Sequence, residues 1–183
     1  MNRLAVPGQL SSVGSRRLAL FSSRKIPGDL VLKTLDAVAV LRDAGIELIG
    51  GFHSPVEKEC LKMLLRGTQP IVVCPARSIK GYRHPAEWKG PIARGQLTMM
   101  SEFPDYVKRV TAESSEQRNR YVVRRADAVF IPYAAPASKT EVLAKEIAAT
   151  GKSICTIIHE LNANLLALGA HPVEEFLRGS NCL

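Results

Sequence analysis

Short apolar runs alternate along this chain with longer stretches in which apolar residues recur every three or four positions. The first pattern predicts buried strands and the second predicts helices with one apolar face. Residues 17–22 (RLALFS), 46–49, 70–74 (PIVVC), 97–100, 128–132 and 153–157 read as strands. The β-branched run in 70–74 suits a strand covered on both faces, as in a parallel sheet. Residues 29–43 read as a helix with Val31, Leu35, Val38 and Leu41 on one face and Gly45 as its stop. The next helix opens at Ser54, with Pro55 in its first turn and Glu57 closing a capping box, and Gly67 ends it. Ser114 and Gln117 have the spacing of a second capping box, which places a helix at 114–125. Ser138 and Glu141 cap a third, ended by Gly151, and 159–168 and 172–177 read as closing helical segments.

Strands that alternate with helices predict an α/β fold: a mostly parallel, Rossmann-like sheet with helices on both faces, in three layers. The 183 residues fit one such domain, expected over 17–168. Residues 1–16, Gly/Ser-rich and without periodicity, read as an N-terminal arm, and 169–183 as a C-terminal helical tail. Residues 75–95 read as a long irregular loop, of the kind that is usually functional in a compact domain. No apolar run has membrane-spanning length, and the apolar stretch at 18–21 is too short for a signal peptide, so a cytoplasmic location is expected.

Composition adds little until charge is considered. Hydrophobic residues make up 46% and charged residues 23%, ordinary for a globular chain. Cys60, Cys74, Cys155 and Cys182 lack metal-ligand spacing and read as reduced, mostly structural residues. The net charge of +8 favours a polyanionic partner, although solubility alone is the plainer explanation. Arg77, Lys80, Arg83, Lys89 and Arg94 share the long loop with Tyr82 and Trp88, a combination that could stack bases and bind phosphates. Arg118, Arg120, Arg124 and Arg125 form a second basic cluster.

In open α/β sheets, ligands bind beyond the carboxyl ends of the strands. Four segments belong there. Ser22, Ser23, Arg24 and Lys25 combine hydroxyls, free N–H groups and cations suited to phosphate. Gly50 and Gly51 permit close backbone approach, and His53 and Ser54 follow at a helix start. Arg118, Asn119 and Arg120 sit on one helix, where neighbours two apart face different ways. Ser138, Lys139 and Thr140 open another helix. Each segment also reads as an ordinary polar turn or cap. Neither a Walker A loop nor a G-x-G-x-x-G fingerprint occurs.

Taken in order, these segments resemble the Rossmann-like domain of the DNA-processing protein A (DprA/Smf) family. Ser22-Ser23-Arg24 matches the family's G-S-R loop, and residues 50–57 match its second glycine-rich turn in part. Ser101-Glu102-Phe103-Pro104 is its S-E-x-P element, Arg118-Asn119-Arg120 its R-N-R element, and Ser138-Lys139-Thr140 its helix-opening turn, without the family's S-G-S. The resemblance spans about residues 18–157. It implies single-stranded DNA binding in a basic pocket and a role in DNA recombination with a recombinase as partner; a homo-oligomer, a dimer, is also expected. The wider superfamily includes the "lonely guy" phosphoribohydrolases, whose P-G-G-x-G-T-x-x-E turn is here residues 132–141 without the glycines. A nucleotide-binding or nucleotide-hydrolysing protein is therefore the alternative, with Glu102, Glu141 and His53 as its acid–base residues. A structural or assembly role with a vestigial pocket is the third reading. No triad or metal set is recognisable, and no cofactor or membrane partner is expected.

Overall fold

The computed structural model describes residues 2–4 and 16–178. In chain order the elements are β1 (Asn2–Leu4), β2 (Arg17–Leu20), α1 (Gly28–Asp43), β3 (Glu47–Gly50), α2 (Pro55–Leu64), β4 (Ile71–Val73) and α3 (Lys89–Ala93). They continue with β5 (Leu97–Ser101), α4 (Ala112–Arg125), β6 (Ala128–Phe130), α5 (Lys139–Ala149), β7 (Ile154–Thr156), α6 (Ala163–Ala167), β8 (His171–Pro172) and α7 (Val173–Arg178). The sheet order is β1-β5-β4-β3-β2-β6-β7-β8. Every neighbouring pair is parallel except β1 on β5, which is antiparallel at the edge.

The alternation of side chains along β2 divides the core. Leu18 and Leu20 face a cluster with Leu30, Val38 and Leu41 of α1, Leu61 and Leu64 of α2, and Val173 and Phe176 of α7. Ala19, with Phe21 just beyond the strand, faces a second cluster with Tyr121 and Val122 of α4, Leu143 and Ile147 of α5, and Leu165 of α6. Two apolar faces on one strand are the mark of a sheet buried on both sides. The three-layer α/β, Rossmann-like expectation thus holds.

Several local expectations change. The stretch 75–95 is not wholly irregular. A 3-10 turn at Ala86–Trp88 runs into α3, whose Pro91 lies in the first turn, where a missing N–H costs nothing. Helix α4 starts earlier than the Ser114–Gln117 spacing predicts. Thr111 is the N-cap and Ser114, three residues on, completes the reciprocal pair of bonds. The segment 159–168 is a 3-10 turn followed by the short α6. Within the expected N-terminal arm, residues 2–4 are a strand, and residues 1 and 5–15 lie outside the described residues. So does Cys182, whereas Cys60, Cys74 and Cys155 are buried, and burial pushes each thiol up to about 12. No helix among the described residues is long and apolar enough to cross a membrane.

Candidate functional site

From β2 the chain winds to β3, β4 and β5 on one side, and later to β6, β7 and β8 on the other. Such a reversal opens a crevice at the carboxyl ends of the central strands. A cleft of about 630 Å³ lies there, within the range of small-ligand sites. Its walls are the loop after β2 (Phe21–Lys25), the turn after β3 (Gly51, His53 and Ser54), and the turn into α5 (Ala135 and Ser138–Thr140). Ser115, Arg118 and Asn119 of α4 close the remaining side.

Ser23 ties the loop after β2 to the turn into α5. Its Oγ accepts from the backbone N–H of Ala135 at 2.9 Å and lies 3.2 Å from Ser138 Oγ. Its own N–H donates to the Tyr133 carbonyl. Ser54 and Ser138 cap α2 and α5, so two helix N-termini border the cleft, and their partial positive charge favours an anion.

Each cap is braced by the glutamate three residues on. Glu57 Oε1 accepts from Ser22 N–H at 2.8 Å, and Oε2 accepts from His53 N–H at 2.8 Å and Ser54 N–H at 3.2 Å. Glu141 Oε2 accepts from Ala137 N–H at 3.1 Å. Just before these caps lie Phe52 (φ 50°) and Ala137 (φ 57°), the two non-glycine residues with positive φ among those described. Strained backbone of this kind persists only where its surroundings hold it, and it gathers at functional sites.

Arg118 is the cleft's central feature. It is 6% exposed. Nη1 donates to the Cys74 carbonyl at 2.9 Å, and Nε donates to Asn119 Oδ1 at 2.8 Å. No described carboxylate forms an ion pair with it. Burial lowers its pKa, opposed by the negative field of Glu57. The guanidinium lies over Gly51, where an added Cβ would come within 1.5 Å of Nη1. Gly51 therefore serves by having no side chain. His53 is open to the cleft. Desolvation by the cleft wall, then the charges of Arg118 and Lys58, lowers its imidazole to about 4.

The cleft thus gathers Ser22, Ser23, Arg24, Lys25, Gly51, His53, Ser54, Arg118, Asn119, Ser138, Lys139 and Thr140. Gly50 stays in β3, its carbonyl accepting from Cys74 N–H. Arg120 points away and pairs with Glu146 at 2.9 Å. Lys139 pairs with Glu116 on the rim, while Arg24 and Lys25 are exposed and without a described ion pair. Neither expected acid lines the cleft. Glu102 pairs with Arg124. Glu141 is held below the usual carboxylate range by the Asn164 amide, then by Lys145 and the Ala137 N–H. The carboxylate on the cleft wall is Glu57, which the sequence marked only as a cap. The aromatic pair of the long loop is engaged elsewhere: Trp88 is in the core, and Tyr82 packs beneath Arg77, 4.7 Å from its ring. No cluster of potential metal ligands occurs among the described residues.

No protein-family model and no curated protein matches this sequence. Solved structures do. DNA processing protein A from Helicobacter pylori, described for its single-stranded DNA binding mode, superposes with a TM-score of 0.71 at 19% identity, covering 90% of this chain and 79% of that one. DNA processing protein A from Streptococcus pneumoniae gives 0.69 at 14% identity, covering 90% of this chain and 61% of that one. The molybdenum cofactor binding protein of Rippkaea orientalis gives 0.58 at 10% identity, over 93% and 87%. The chain shares the fold of these proteins.

Proposed function

We propose that this chain binds single-stranded DNA, with the sugar-phosphate backbone in the cleft and one phosphate against Arg118. The observation that carries this reading is the buried guanidinium with no carboxylate partner among the described residues, facing a cleft rimmed by two helix N-termini. A buried cation is costly unless something pairs it. A phosphate oxygen would complete its hydrogen bonds, and Arg24 and Lys25 would meet flanking phosphates. The likeness to two DNA processing protein A structures supports the same ligand. On this reading the chain works in the cytoplasm in DNA processing and recombination, as a homodimer that passes the strand to a recombinase.

Hydrolysis is the weaker reading. Glu57 on the cleft wall has both oxygens occupied by backbone N–H groups, which suits an anchor more than a proton carrier. The cleft's volume does suit a single nucleotide or a phosphorylated cofactor, as does the likeness to a molybdenum cofactor binding protein.

Fluorescence anisotropy with labelled oligo-dT of several lengths separates these ligands. Affinity should rise with length and fall with salt. Arg118→Gln should lose about tenfold or more, the value of a charged hydrogen bond, while Arg120→Gln should bind like the parent. Absence of binding at low salt would overturn the proposal. Equal binding of a mononucleotide and the longest oligomer would favour the small ligand.

A further inference from the structure

The loop between β5 and α4 carries a large, exposed aromatic residue. Tyr106 is 83% exposed, more than any other large apolar or aromatic residue described. Its hydroxyl makes no hydrogen bond to the described residues. Nothing in the fold requires a tyrosine there, because the loop is fixed by other atoms. Val107 N–H donates to the Pro104 carbonyl, Ser78 N–H to the Val107 carbonyl, and Arg77 Nη1 to the Lys108 carbonyl. Lys80 Nζ reaches Asp105 at 2.9 Å. The backbone is thus stapled to the neighbouring loop while the ring is left facing solvent.

Two further observations place this ring on a route. Lys108 and Arg109 follow it, both exposed and without a described ion pair, Lys108 Nζ donating to the Lys80 carbonyl at 2.8 Å. Val110, 51% exposed, comes next and itself lines the cleft. Ring, cations and cleft wall are therefore consecutive along one short stretch of chain.

We propose that the loop from Pro104 to Val110 is a second binding segment for the same strand. A base leaving the cleft past Val110 stacks on Tyr106, and the adjoining phosphates meet Lys108 and Arg109. An aromatic face beside exposed cations is the usual platform for single strands without sequence preference. This rests on the reading of the cleft as a single-strand site, and it extends that site by a surface a single nucleotide would not reach.

The test uses the full chain and two probes: a 5′-phosphorylated thymidine dinucleotide, and oligo-dT of about sixteen residues, the upper end of a single-domain site. Tyr106→Ala should weaken the long probe about tenfold, as removing one stacking partner does, and leave the dinucleotide unchanged. Tyr106→Phe keeps the ring and should bind both like the parent. Circular dichroism of the variants should match the parent, since the side chain is exposed. The inference fails if Tyr106→Ala binds the long probe normally or loses both probes equally. If Arg118→Gln loses both probes while Tyr106→Ala loses neither, the cleft reading stands and this one falls. If the unmodified protein binds neither probe at low salt, both fall.

Discussion

A glycine and an arginine from distant parts of the chain define the cleft floor, and each explains the other. An alanine Cβ at 51 would stand 1.5 Å from Arg118 Nη1 and 2.1 Å from Cζ. Since the guanidinium is fixed by Cys74 O and Asn119, it must leave its seat to make room. Gly51→Ala should therefore keep native circular dichroism yet lower oligo-dT affinity by about tenfold, like loss of the arginine itself. Normal affinity in this variant would show that the guanidinium is not the anchor. His53 supplies a second test. Its folded pKa of about 4 lies below the ordinary 6.5. The unfolded chain thus takes up a proton that the folded chain refuses, and stability falls as pH drops from about 6.5 to 4. Asn in place of His53 should flatten that fall in a thermal melt. A phosphate in the cleft should move the imidazole upward in an NMR titration, and affinity should then tighten as pH falls. An unmoved resonance would place the anion away from His53. The sequence singled out both Arg118 and Arg120, because R-N-R marks the helix and not its facing. Only the docking of α4 on β2 and β3 turns one inward and leaves the other to Glu146.

At the scale of elements, the cleft is built from caps. Helices α2 and α5 begin with a serine and carry a glutamate three residues on, and both glutamates hold the turn that precedes their helix. Glu57 does more, since it also binds Ser22 N–H from the loop after β2. Glu57→Gln keeps the shape but puts an NH₂ against at least one of three backbone donors. The cost of an unsatisfied buried donor is about 1–3 kcal/mol, which should appear as a lower urea midpoint. Glu59→Gln, on the exposed face of α2, should stay within about 0.5 kcal/mol of the parent. Equal midpoints for the two variants would mean that water or a shifted loop satisfies those donors. These caps were legible because N-capping is local chemistry. Elements whose signals are not local were misread. Gly90 and Pro91 look like loop residues, yet α3 accommodates both in its first turn. Ser114 looks like a cap, but Thr111 takes that place and Ser114 answers it. A three-residue edge strand such as β1 has no pattern of its own, and only pairing with β5 defines it.

For the whole molecule, alternating strands and helices were enough to give the class of fold, since each buried strand needs helices on both faces. The order of strands was not legible. No residue in β2 announces that it sits at the reversal, and that position is what brings the loops after β2, β3 and β6 together. Nor does the net charge of +8 say how many cations are available. Lys80, Arg120, Arg124 and Lys139 are already paired with carboxylates. In the cleft, Arg24, Lys25 and Arg118 have no described ion pair. Single-strand binding releases counterions with a slope of about −0.7 in log affinity against log salt for each phosphate neutralised. Three cleft cations therefore predict a slope of about −2 for a strand confined to the cleft. A strand that continues over Lys108 and Arg109 adds two contacts and steepens the slope to about −3.5. Removing both of those cations should return the long probe to the shallower value without altering a dinucleotide. A single nucleotide, with its charge concentrated in one phosphate group, should give a slope that no outlying cation changes. Titrations at four or five salt concentrations thus read the number of phosphates engaged. A long probe with the same slope as a dinucleotide would restrict the site to the cleft and favour a small phosphorylated ligand.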